Sequence, residues 1–229
     1  MEKMSNYNSQ RIRAIKSALS PARMSTFENA INHFNNDYYA PIELYLWNAS
    51  ISGAMLAPLH ICEIVVRNAI SDALEAKYGT KWPWSASFEK SLIDPNHGYS
   101  ARKDLLNARR CAHATEKVIP ELTFVFWQSM FTARYDLRIW NNYLHQVLPN
   151  LNHEIPVKDN RSELYNKLHQ IRKLRNRIAH HEPVFSRNLA DDYHKIITII
   201  RYRCNHTALW LHQNQCVIMA LDKKPKTIR

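Results

Sequence analysis

Glycine is nearly missing from this chain: three residues in 229. Hairpin-rich folds spend glycine on their turns, so the shortage argues against many hairpins and for helices. It also leaves no glycine-rich loop able to cradle phosphates, which excludes nucleotide hydrolysis of the P-loop kind. Cysteine is sparse as well. Cys62, Cys111, Cys204 and Cys216 are scattered without a C-x-x-C pair, which reads as buried thiols of a cytoplasmic protein rather than disulfides or zinc ligands. The opening residues are polar with no apolar segment, so no signal peptide is expected. No uninterrupted apolar run reaches spanning length, so no membrane association is expected either. Neither H-E-x-x-H nor H-x3-H spacing occurs, and no G-x-S-x-G or Cys-His signature stands out. His180, His181 and Glu182 could be read as metal ligands, but adjacent histidines point to different faces of a helix. No metal and no cofactor are expected.

Negative charge is the other deficit. Twenty Asp and Glu face 31 Lys and Arg, for a formal net charge of +11 and a pI of about 9.6. That balance suits a polyanionic partner, nucleic acid first. Apolar residues make up 45%, enough for a substantial core in one domain over 1–229. Residues 1–9 and 222–229 read as flexible ends.

Along the chain, Arg11 to Leu19 suits a short basic helix. Ser20 and Pro21 form a helix start, with serine as N-cap and proline in the first turn. This second helix extends to about Phe34, and Asn35 to Asp37 break it. Tyr38 to Ala49 reads as another helix. Leu56 to Tyr78 reads as the central one, with a broad apolar surface and Gly79 as its C-cap. Glu63 and Arg67 within it are four apart, in the favourable order for a pair. Glu63 either makes that intrahelical pair, or holds Arg175 from across the core, or does both. Trp82 to Gly98 reads as a loop with room for one helical turn, whose tryptophans serve as packing or as a base-stacking surface. Tyr99 to Glu116 reads as a basic helix. Its Arg102, Lys103, Arg109 and Arg110 make either a solvated face or one that tracks phosphates. Leu122 to about Gln146 reads as one aromatic-rich helix, and Leu148 to Pro156 as a loop. The last long helix starts at Asn188, Asp191 and Asp192 and runs through Leu211, antiparallel to the helix before it.

That preceding helix carries the most information. Leu164, Leu168, Ile171, Leu174 and Ile178 fall on one stripe at about 100° per residue. Arg175 lands in the middle of the stripe, where a guanidinium needs a partner or an anionic ligand because it cannot shed its proton. Asn176 and His180 share a neighbouring face. Pro183 disfavours helix at Glu182, so the helix is expected to stop at His180 and His181.

The run Arg175-Asn-Arg-Ile-Ala-His180-His-Glu-Pro-Val-Phe185 resembles the signature of the HEPN superfamily, in the form carried by Abi-like proteins of bacterial abortive infection. Glu63-Ile-Val-Val-Arg-Asn68, followed by Tyr78-Gly-Thr-Lys-Trp82, is similar to early segments of the same proteins. The resemblance covers about residues 25 to 212 and implies an all-α, HEPN-like helical bundle with additional N-terminal helices. It also implies a metal-independent endoribonuclease, an antiviral toxin, with its cleft at a homodimer interface. On that reading Arg175 and His180 are catalytic, Asn176 and His181 support them, and Glu63 positions Arg175. Arg172, Arg177, Arg102, Lys103, Arg109 and Arg110 would bind RNA. An antitoxin or a regulatory RNA or protein would be a further partner. The alternative is a non-catalytic RNA- or nucleotide-binding module that acts through a partner.

Overall fold

The structure, a computed structural model, describes residues 2–31, 39–110 and 112–225. The expected break at Asn35 to Asp37 and its flanks, Cys111, and the tail 226–229 lie outside the described residues. Within them the chain is all-α, with twelve α-helices, short 3-10 and π segments and no strand.

The described residues fall into two compact units. The first comprises Met1–Ala57, Asn176–Asp191 and Gln215–Arg229; the second comprises Pro58–Arg175 and Asp192–Asn214. Three helices cross from one unit to the other: α3 (Ala40–Tyr78), α9 (Val157–Ala179) and α10 (Leu189–Arg203).

In the first unit, α1 spans Glu2–Leu19 and so begins earlier than the short helix expected from Arg11. No proline or glycine interrupts that segment, and nothing in it forces an end. Ser20 has φ 73° and caps α2 (Pro21–Ala30) by accepting a hydrogen bond from Arg23 N. Phe27 on α2 packs its ring on Tyr45 and Phe185, with centroids 4.9 and 5.2 Å apart. Before the end expected to be flexible from residue 222, α12 (Val217–Asp222) docks through Trp47 Nε1, which donates to Ala220 O at 2.7 Å; Lys224 Nζ donates to Phe185 O at 3.0 Å.

One helix replaces the two expected over residues 38–78. A lone Gly53 costs a helix about 1 kcal/mol, too little to end one this apolar. Pro58 removes a single backbone donor inside α3, and the boundary between the units falls there. As one helix of 39 residues, α3 contains an 18-residue stretch of mean hydropathy 1.6. Length and composition alone would let this helix cross a membrane, a test that the core helix of a globular domain also passes. A third of the stretch (33%) is buried in the protein.

In the second unit the aromatic run is broken where one straight helix was expected. It forms α7 (Phe124–Ser129), a 3-10 turn at Ala133–Tyr135, a π segment at Asp136–Trp140 and α8 (Asn141–Val147). The cause is steric. On a straight helix Phe126 and Trp140 would face away from Phe124, Phe131 and Tyr135. The breaks bury all of them to 7% exposure or less. Trp140 stacks on Phe131 at 4.6 Å and donates Nε1–H to Met130 O. Trp82 is also buried, edge-on to Phe88 and Trp127, with Nε1–H on Ser71 Oγ. It packs; it is no stacking surface. The loop and helical turn expected over this segment are a 3-10 turn (Trp82–Trp84) and α4 (Ala86–Ser91). The basic helix is shorter than expected, α5 (Ala101–Ala108), with α6 (Thr115–Val118) separate from it. The last long helix is divided at Cys204 into α10 and α11 (Asn205–Asn214). Tyr202, late in α10, donates to Glu163 Oε1, early in α9, as antiparallel packing requires.

Of the cysteines, Cys62 is buried, but Cys204 is half-exposed and Cys216 exposed, against the expectation of buried thiols throughout; all three are free.

Candidate functional site

In the second unit the stripe on α9 packs as its spacing requires: Leu164, Leu168, Ile171 and Leu174 are at most 1% exposed. Arg175 breaks the pattern. By turn arithmetic it belongs on that stripe, yet its side chain is 46% exposed. The guanidinium therefore opens to solvent and is not entombed among aliphatics, which corrects the expectation from spacing. Its Nε lies 3.9 Å from Glu63 Oε2, an ion-pair distance longer than a hydrogen bond. The other oxygen, Glu63 Oε1, accepts from Arg67 Nη2. Both sequence readings of Glu63 thus hold: it pairs within α3 and reaches Arg175. Two guanidiniums share one carboxylate, so this corner of the unit keeps net positive charge. Arg67 Nε is buried without a hydrogen-bond partner. Next to Glu63, the Cys62 thiol is pushed up to about 12, first by burial and then by the neighbouring carboxylate, which leaves it protonated and inert.

In the first unit, α9 stops where Pro183 requires. His180 N donates to Asn176 O at 2.9 Å; His181 N then bonds Ile178 O, and Glu182 N bonds Arg177 O at 2.8 Å. This is a Schellman closure, with His181 in the left-handed position that glycine usually takes. Its φ is 56°. Arg23 Nη1 clamps the His181 carbonyl at 2.6 Å, and Val184 N donates to the buried Asn48 Oδ1 at 2.7 Å. Arg177, expected on RNA, is drawn into the same turn: its Nε lies 3.3 Å from Glu182 Oε2 and its Nη1 donates to Pro183 O. His180 and His181 are both exposed, and Asn176 is half-buried.

A second polar group sits on the outer face of α9 in the second unit. Gln128 of α7 is 3% exposed. Its Oε1 accepts from Arg172 Nε at 2.6 Å, and its Nε2 lies 3.3 Å from His169 Nδ1. Burial first, then the charges of Lys173 and Arg172, hold the His169 imidazole below its ordinary pKa. The Tyr165 ring lies parallel to His169, within 7° and 6.4 Å away. Of these residues, sequence reasoning named only Arg172. Two signals were available. Tyr165, His169, Arg172 and Asn176 share one helical face, and Gln128 is a lone amide inside an aromatic run.

The basic residues of α5 have other company. Arg102 donates to Glu89 Oε1 at 2.9 Å through Nη2, and to Asp94 Oδ2. Arg109 donates to Glu89 Oε2 at 2.6 Å, and Lys103 Nζ lies 3.8 Å from Asp94 Oδ1. Hydrogen bonds from Arg102 and then Arg109 pull the Glu89 carboxyl below its ordinary range. Arg110 is exposed, just past the end of this helix.

No group of three His, Cys, Asp or Glu side chains set to hold a metal ion occurs among the described residues. No protein-family model matches the chain, and neither does any curated protein or solved structure.

Proposed function

We propose that this chain is a metal-independent endoribonuclease of the HEPN, Abi-like kind, acting in the cytoplasm in antiphage defence or as a toxin. The observation that carries the reading is Arg175: a guanidinium on the apolar stripe of α9 that stays 46% open to solvent, with Glu63 at 3.9 Å. An arginine so placed has donors left for an anion, and a phosphorane is an anion that a planar guanidinium grips well. The run Arg175-Asn176-Arg177-Ile178-Ala179-His180 supplies the second group, an exposed imidazole at the end of α9.

On this reading Arg175 neutralises the phosphorane. His180 moves the proton between the ribose 2′-oxygen and the departing 5′-oxygen, and a cyclic phosphate is left. Asn176 orients the phosphate or the imidazole. Glu63, held by Arg67, is a positioning residue for Arg175. His181 is the second proton carrier. A homodimer would bring two such sets together about a two-fold axis. RNA is the substrate, and an antitoxin or regulatory RNA or protein is the further partner the proposal entails.

The test is cleavage of RNA by the purified protein in EDTA. His180→Ala and Arg175→Ala are expected to lower the rate by about 100-fold or more with melting temperature unchanged. Activity that disappears on chelation and returns with a divalent ion overturns the proposal. In bacteria, expression of the wild type should arrest growth and His180→Ala should not. A second reading, an RNA- or nucleotide-binding module without catalysis, draws on the Arg67, Glu63 and Arg175 group, which suits phosphate whether or not chemistry follows. Tight RNA binding by a concentrated sample with no cleavage would select it.

A further inference from the structure

Arginine carries donors only. The Gln128 atom at 2.6 Å from Arg172 Nε is therefore its carbonyl oxygen, and the amide is locked in one orientation. Its NH2 must then face His169, and an NH2 only donates. His169 Nδ1 is consequently the acceptor, and the neutral ring carries its proton on Nε2. Protonating Nδ1 would set two donors against each other. A buried amide thus fixes both the tautomer and the charge of a half-exposed histidine. The same amide touches Arg172, so guanidinium and imidazole are neighbours. Gln128 is neutral, and among the described residues Arg172 has no carboxylate partner. Its charge is uncompensated, and both Nη atoms are left over. Arg172 also precedes Arg175 by three positions, which makes them adjacent on the helix surface.

We propose that Tyr165, His169 and Arg172, braced by Gln128, form a nucleotide subsite for single-stranded RNA next to Arg175. Arg172 Nη and His169 Nε2–H take the phosphate adjacent to the one on Arg175, and the Tyr165 ring stacks the base of that nucleotide. The subsite rests on the RNA reading for its polymer, but not on cleavage.

The experiment uses the full chain and a short, fluorescently labelled, fully 2′-O-methylated RNA, which binds but cannot be cut, with affinity read by anisotropy in EDTA. Arg172→Ala is expected to weaken binding about tenfold and to reduce the salt slope by about one. Tyr165→Ala is expected to weaken it about fivefold, as loss of a stacking surface does. Gln128→Glu places a carboxylate on Arg172 and His169. It should weaken binding and raise the His169 titration midpoint seen by NMR above that of the wild type, which itself lies below the ordinary value. Circular dichroism confirms that each variant is folded. If folded Arg172→Ala and Tyr165→Ala bind like the wild type, the subsite is overturned, whatever unmodified RNA shows. If the wild type does not bind, it is overturned too. If the variants lose binding while the wild type leaves unmodified RNA intact, the subsite stands and the nuclease reading falls.

Discussion

Two basic surfaces of the second unit look alike in sequence and differ in substance. On α5, Arg102 and Arg109 both close on Glu89, and Asp94 adds a second carboxylate. On α9, Arg172 closes on a neutral amide, and Arg175 stands off Glu63 by 3.9 Å. A carboxylate absorbs the charge of the arginine it binds; an amide fixes the geometry and leaves the charge outside. The first surface staples α5 to α4, and the second keeps its field for something that arrives. Counting arginines, as a net charge of +11 invites, does not separate the two. Their partners do.

The comparison breaks most visibly in cleavage. Arg175→Ala should lower the RNA cleavage rate by about 100-fold, the scale of losing an electrostatic stabiliser, and Arg109→Ala should leave it within about twofold. Equal losses from both would erase the distinction. Next in size is Gln128→Leu, which leaves Arg172 Nε and His169 Nδ1 facing apolar carbon. The loss should be about 2–4 kcal/mol, seen as a fall in thermal midpoint of several degrees by calorimetry. A neutral outcome would mean that the amide is packing rather than a brace. Glu89→Gln probes the other surface through acid. The folded-state pKa of Glu89 lies below its ordinary value. The folded protein therefore binds fewer protons there, and the stabilisation is complete above the ordinary carboxylate range and lost as pH falls through the folded value. In Glu89→Gln that part of the acid loss should be missing, in denaturant melts from pH 6 down to pH 3. The smallest effect is a gain. His181→Gly relieves a side chain at φ 56° and should add about 0.5–1 kcal/mol of stability. Cleavage measured on the same sample shows whether the imidazole is needed.

Much of the fold was legible because the α9 stripe, the Ser20 and Pro21 start and the proline-enforced stop before Pro183 are local signals read one turn at a time. The aromatic segment was not, since its breaks answer to volume: Phe126 and Trp140 cannot both reach the core from a straight helix, and no local residue announces that. The exposure of Arg175 was missed for a related reason. Spacing gives an azimuth, but only the neighbouring helix, here with Glu63, decides whether that azimuth is covered. Glu63 itself was found because its two candidate partners could be weighed in advance. Gln128 was overlooked because an amide among aromatics carries no motif, and its meaning depends on two residues more than forty positions away.

Both compact units are stitched from separated stretches of chain, the first from three and the second from two. A short deletion from either end therefore removes only part of the first unit, which holds both ends of the chain. Truncation series would cut through a compact unit at nearly every endpoint. Single-residue exchange and suppressor selection are the genetics this architecture permits.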